Sequence, residues 1–190
     1  MVKFMAETLL PNFDVDNLNE LDTLLQRGTL LMWCARKGHL DIAEYLLERK
    51  ANVNLGVWGE KTFTALHFAC RLGFLDIVRC LVEKGNCDVS LEHYEEGTGL
   101  DMACRWGFVE IVKFLVEKGN CDVTLKHASD GTPLEIARRN KSTEVVNYIQ
   151  ETFPDKVAII DLTKNGYLEG VKKLLAMNVP LDTFECPTSR

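Results

Sequence analysis

Four arginines recur at a nearly constant interval: Arg36, Arg71, Arg105 and Arg139 are separated by 35, 34 and 34 residues. A guanidinium presents its donors in a rigid planar fork that matches a carboxylate, so a row of them could hold an acidic or carboxylate-bearing peptide. A plainer role fits the same spacing, with each stem packed on its helix and each head paired to a nearby carboxylate. The residue after each arginine varies, as Lys37, Leu72, Trp106 and Asn140. Trp106 favours a binding role, since Trp and Arg are enriched among the residues that dominate interface energetics. Its alternative is partial burial against a neighbouring unit. Trp58, Phe63 and Tyr94, in loop segments, are further candidate contacts with the same two readings.

Reaction chemistry finds little support. Catalysis needs a nucleophile with its base, or a pair of carboxylates, in a defined pocket. His93 and His127 occupy equivalent loop positions and His39 stands at a helix start. There is no glycine-rich phosphate loop and no H-E-x-x-H, and the acidic residues fall mostly on outer helix faces, so the expectation is a non-enzyme that uses no cofactor. Cys70 and Cys104 lie 34 apart, as do Cys87 and Cys121, which makes them repeated structural positions. The count of seven is odd and no CxxC occurs, so buried thiols in a reducing compartment are expected, not disulfides or zinc. A net charge of −6 argues against nucleic acid. No apolar run reaches the length of a membrane span, and the first residues make a poor signal peptide.

The elements that must position the arginines come from an internal repeat. Thr64-Ala65-Leu66-His67-Phe68-Ala69 returns as Thr98-Gly99-Leu100-Asp101-Met102-Ala103 and as Thr132-Pro133-Leu134-Glu135-Ile136-Ala137, and Thr29-Leu30-Leu31-Met32-Trp33-Cys34 fills the same slot upstream. Within one unit, Thr64 is a good N-cap for a short helix that runs to Leu72. Gly73 supplies a left-handed turn, and a second helix from Leu75 to Lys84 ends at Gly85. The polar segment Asn86 to Gly97 then leads to the next capping threonine.

Helix, tight turn, helix and hairpin-like loop, carrying a T-x-L-x-x-A signature at this period, resemble the ankyrin repeat. Gly73-Phe74-Leu75-Asp76-Ile77-Val78 and Ala51-Asn52-Val53-Asn54 add to the likeness. The resemblance implies an all-α solenoid, a right-handed array of paired helices with hairpin-like loops and almost no further sheet. The expected units are 29–62, 63–97, 98–131 and 132–155, between a degenerate unit at 1–28 and a degenerate or truncated one at 156–190. Leu66, Ala69, Val78, Leu81, Leu100, Ala103, Val112, Leu115, Leu134, Ala137 and Val146 should be buried between units. The motif histidine survives only as His67, whose implied role is a hydrogen bond to the neighbouring loop. Lys141 replaces a turn glycine, so either Asn140 becomes left-handed or the turn is reshaped.

The family likeness also implies a function: a non-catalytic, intracellular and cytoplasmic module that binds a partner protein on a concave surface of hairpin tips and first-helix ends. The positions concerned are Arg36, Lys37, Arg71, Leu72, Arg105, Trp106 and Arg139, with Trp58 and Tyr94 in the loops. No nucleic acid, membrane insertion or small-molecule cofactor is expected. The alternatives are the targeting or substrate-recruiting arm of a larger enzyme, such as a kinase or ubiquitin ligase, or a microbial effector. Asn54 closes an A-N-V-N stretch with Leu46 eight residues upstream, which marks it as a candidate for asparaginyl hydroxylation, an unmodified turn-stabilising Asn being the alternative. The ordinary interior pattern of Leu168, Val171, Leu174 and Leu175 leads us to expect that the array continues past Arg190.

Overall fold

Each threonine that was expected to start a helix does so in the computed structural model of the chain, which describes residues 29–57, 63–126 and 131–157. Thr29 precedes α1 (Leu30–Lys37), which is followed by α2 (Leu40–Glu48). Strand β1 (Gly56–Val57) pairs antiparallel with β2 (Phe63–Thr64), with Gly56 opposite Thr64 and Val57 opposite Phe63. Then come α3 (Ala65–Leu72) and α4 (Leu75–Arg79), whose axis continues as π-helical turns over Cys80–Lys84 instead of the uninterrupted α-helix expected. The chain goes on through α5 (Gly99–Trp106), α6 (Val109–Glu117), α7 (Pro133–Arg139) and α8 (Thr143–Thr152). The first helices α1, α3, α5 and α7 pack in one row, and the second helices form a row beside them. The result is an all-α repeat solenoid. Between α4 and α5 the loop closes with a single antiparallel bridge from His93 to Gly97.

The capping chemistry explains why the third residue after each threonine changes identity freely. Asp101 N–H donates to Thr98 Oγ1 at 3.4 Å, and Thr98 N–H donates back to Asp101 Oδ2 at 2.8 Å. Glu135 answers Thr132 in the same way, its Oε2 lying 3.0 Å from the Thr132 nitrogen. In the first unit Met32 Sδ accepts from Thr29 N–H at 3.4 Å, and in the second His67 Nδ1 accepts from Thr64 N–H at 3.0 Å. All four are reciprocal capping boxes, so what the position requires is an acceptor, whether thioether, imidazole or carboxylate. Gly97 and Gly131, both at positive φ, leave room for the carboxylates of Asp101 and Glu135, which a Cβ at either glycine would strike.

His67 therefore serves its own helix, and its ring also faces the backbone of Leu91 and Gly97 in the neighbouring loop, the side that the family likeness implies. Its Nδ1 receives the Thr64 amide and lies 2.8 Å from Thr64 Oγ1, so the ring proton belongs on Nε2. Among the described residues, Nε2 makes no hydrogen bond of full geometry. Burial pushes the pKa of His67 down to about 4, with backbone groups of Gly97 and Leu91 opposing the drop and His93 adding to it.

Gly85 ends its helix as expected, and the turns that follow the helices have geometries of their own. Gly85 has φ −84°, and the left-handed residue is the following Asn86 at 49°, as Asn120 is at 54° after Gly119. Glycine is required at 85 and 119 for closeness, because a Cβ would lie 2.7 Å from the Leu81 carbonyl oxygen or 2.6 Å from that of Leu115. At the fourth turn neither proposed solution holds. Lys141 itself takes the left-handed conformation at φ 59°, while Asn140 stays at −90° and donates from Nδ2 to the Ile136 carbonyl at 2.8 Å.

The expected core residues are buried, except Val146, which is only partly covered. It occupies the repeat position of the fully buried Val78 and Val112 on the last helix pair described, whereas its neighbour Val145 is fully buried. The end units at 1–28 and 156–190, apart from 156 and 157, lie outside the described residues, as does the Arg190 terminus.

Ala103 is fully enclosed among the first helices. Ala103→Leu should cost roughly 1–3 kcal/mol by overpacking that contact, read as a lowered melting temperature; an unchanged value would reject this register. A second prediction concerns pH. His67 has a folded pKa below its ordinary 6.5, so the unfolded chain binds the proton more readily and stability falls as the pH falls. The loss should begin near pH 6.5 and reach about 3 kcal/mol by pH 4. Chemical denaturation of wild type beside His67→Gln, which retains an acceptor but does not titrate, should show the variant losing less across this window. Parallel curves would sink the account.

Candidate protein-binding face

The arginines gather because each ends a first helix one residue before its last position: Arg36 on α1, Arg71 on α3, Arg105 on α5, with Arg139 as the final residue of α7. With the first helices stacked, the interval in sequence becomes adjacency in space. Arg36 and Arg71 line one cleft of about 350 Å³ together with Phe68 and Leu72. Arg71 and Arg105 converge on a single carboxylate. Glu96 Oε2 lies 2.9 Å from Arg105 Nη1, while its Oε1 lies 3.9 Å from Arg71 Nη1. Both readings of the arginine row thus find a counterpart: Arg71 and Arg105 face a carboxylate, and Arg36 makes no ion pair within the described residues.

Glu96 reaches this place through a tight loop tip. His93 and Gly97 exchange two backbone hydrogen bonds at 2.8 and 2.9 Å, and His93 Nδ1 lies 3.4 and 3.3 Å from the amides of Glu95 and Glu96. Rings connect this tip to the cleft. Phe68 meets Phe63 edge-on at 4.5 Å, Phe63 meets His93 at 5.2 Å, and His93 lies 4.7 Å from Tyr94. Tyr94 is 57% exposed and Trp106 51%, so neither aromatic is consumed by packing. Leu72 and Trp33 are also exposed, the latter one turn before Arg36 with its ring 5.1 Å from His39. Lys37 and Arg139 lie exposed at their helix ends.

A family model for ankyrin repeats in three copies matches residues 2–93, and one for a single ankyrin repeat matches residues 98–128. The chain belongs to the ankyrin-repeat family. No curated protein matches it. Ankyrin repeats generally act as protein–protein interaction modules, and the family is generally non-catalytic.

Within this ankyrin array the thiols behave as packing groups. Cys34, Cys70 and Cys104 are fully buried, and desolvation holds the first at about 12 and the other two well above the ordinary thiol value. Such thiols stay protonated and unreactive. Among the described residues no cluster could hold a metal ion and no helix is long and apolar enough to cross a membrane. Asn54 is exposed, and its Oδ1 accepts the Asp88 amide of the next loop at 2.9 Å, tying two units together. Trp58 and His127 lie outside the described residues.

Sequence reasoning missed Glu96, Phe68 and Trp33 as members of this face. Trp33 and Phe68 fall on the same repeat offset, four residues after their capping threonines, where Met102 and Ile136 are buried. That pattern reads as core. Glu96 had one available signal, its place two residues before the Thr98 cap in a loop that must return to the helix ends.

Proposed function

We propose that this ankyrin array is a non-catalytic module that docks a partner protein bearing acidic groups on its first-helix face. The observation that carries the reading is the cleft of Arg36, Phe68, Arg71 and Leu72, basic and apolar at once, on a chain of net charge −6. Exposed Tyr94, linked to Phe68 through His93 and Phe63, and exposed Trp106 at the end of α5 supply large, rigid contact surface. Lys37, Arg105 and Arg139 extend the basic character along the helix ends, and Trp58, outside the described residues, is proposed with them from the sequence alone. Because the side chains stand on packed helices, little ordering cost is incurred on binding. Buried, protonated thiols suit an intracellular setting, and no cofactor enters the reading.

Arg71→Glu combined with Arg105→Glu should abolish partner capture in a pull-down without unfolding the array, and Trp106→Ala should weaken it. Wild-type binding should fall as salt rises, since exposed charges steer association and are screened. Salt-independent affinity or full binding by the double variant would reject the electrostatic reading. Asn54, in the same array, is proposed as a hydroxylation site. Treatment with an asparaginyl hydroxylase should add the mass of one oxygen to the peptide containing Asn54, and an unshifted peptide would remove the proposal.

A further inference from the structure

The cleft and the Glu96 contact share one residue, Arg71, and this sharing has a consequence for how an acidic partner would bind. Glu96 holds Arg105 closely at 2.9 Å but Arg71 only at 3.9 Å, and the Arg71 side chain remains 43% exposed against 20% for Arg105. A guanidinium offers five donors, so one distant carboxylate oxygen leaves most of the Arg71 fork unused. Arg71 lines the cleft together with Arg36, and Phe68 and Leu72 supply its apolar lining. The cleft therefore suits a peptide segment in which a carboxylate side chain neighbours an apolar one.

We propose that Glu96 is a built-in competitor for this seat, a carboxylate of the chain itself that holds Arg71 and Arg105 and lowers affinity for an acidic peptide. The proposal rests on the docking reading and sharpens it. Two facts favour competition over simple support. Glu96 belongs to a loop tip, not to the helices that carry the arginines, and the His93–Gly97 bridge closes that tip. Its charge also lies on the same guanidinium that the partner must use, so partner and Glu96 carboxylates repel each other across Arg71. An acidic segment would enter between Arg36 and Arg71 and draw Arg71 away from its long contact, while the short Glu96–Arg105 pair persists.

The test is fluorescence polarisation with a short labelled peptide of alternating leucine and glutamate, beside its leucine and glutamine counterpart, on the full 190-residue chain. Glu96→Gln should tighten the glutamate peptide about twofold to fivefold, the scale of one partly exposed charge contact, and Arg36→Glu should weaken it by at least as much. The glutamine peptide should bind poorly to every variant. Unchanged or weaker binding by Glu96→Gln would overturn the competitor role. Equal binding of the two peptides would overturn the carboxylate chemistry of the cleft. Either failure would leave the docking face itself standing if the Arg71→Glu, Arg105→Glu variant still loses its partner. A measurement on wild type guards against a folding defect in Glu96→Gln: the Arg36 and Arg71 Nε–H resonances should shift on adding the glutamate peptide, and their failure to move would equally overturn the proposal.

Discussion

The close approach of the first helices sets the geometry on which everything else in this array depends. Cys34, Ala69, Ala103 and Ala137 occupy one repeat position, and Ala35, Cys70 and Cys104 the next, and all of them are fully buried. A Cβ on Gly99 would lie only 3.1 Å from Cys70 Sγ and 3.3 Å from Leu66 Cγ, so neighbouring units have almost no slack between them. At that density a single added methylene is felt. The spacing of small residues thus fixes the spacing of helices, and the spacing of helices fixes how far apart the arginines stand.

Locking each helix start is the second layer of the same design. A threonine and an acceptor three residues later satisfy two backbone donors that would otherwise be orphaned at the helix end. Because the acceptor's chemistry matters less than its lone pair, Met32, His67, Asp101 and Glu135 are interchangeable there. The far ends of the first helices are held across units. The ring of Phe74 would press on a Cβ at Gly38 and that of Phe108 on one at Gly73, with Ser142 in the corresponding place beside Gly107. Arginines one or two residues from such turns have their backbones pinned, which is what lets exposed, long side chains form a defined face.

Charge placement works against the average. An excess of acidic over basic residues covers the chain, yet Arg36, Arg71 and Arg105 meet on one face where the nearest carboxylate is supplied by a loop. Elsewhere the second helices and loops are tied by ordinary surface pairs, such as Lys84 with Glu44 at 2.8 Å and Lys156 with Asp122 at 3.1 Å, which join residues 40 and 34 positions apart. Exposed pairs of this kind add little stability individually. The first-helix face differs because Arg36 and Arg71 share a cleft with Phe68 and Leu72, and an apolar surround strengthens electrostatic contacts once a partner excludes water.

The sequence by itself determined the architecture, because a period of 34 to 35 residues is a physical instruction: each unit has an apolar face that only another copy can cover. Threonine caps, the glycine turns at 38, 73 and 107, and the inward positions from Leu66 to Ala137 follow from that one constraint, acting locally. What only the tertiary structure decided are contacts between residues far apart in the repeat. Glu96 carries no periodic mark, so its bond to Arg105 and reach to Arg71 emerge only when a loop is folded back over helix ends. Trp33 is exposed and Phe68 half-buried at the offset where Met102 and Ile136 are buried, so the degree of cover at this offset does not follow from the repeat position alone. The same holds for left-handed Lys141 and Asn86. Local preference favours glycine at positive φ, and that these two non-glycine residues bear it is seen only in the folded backbone.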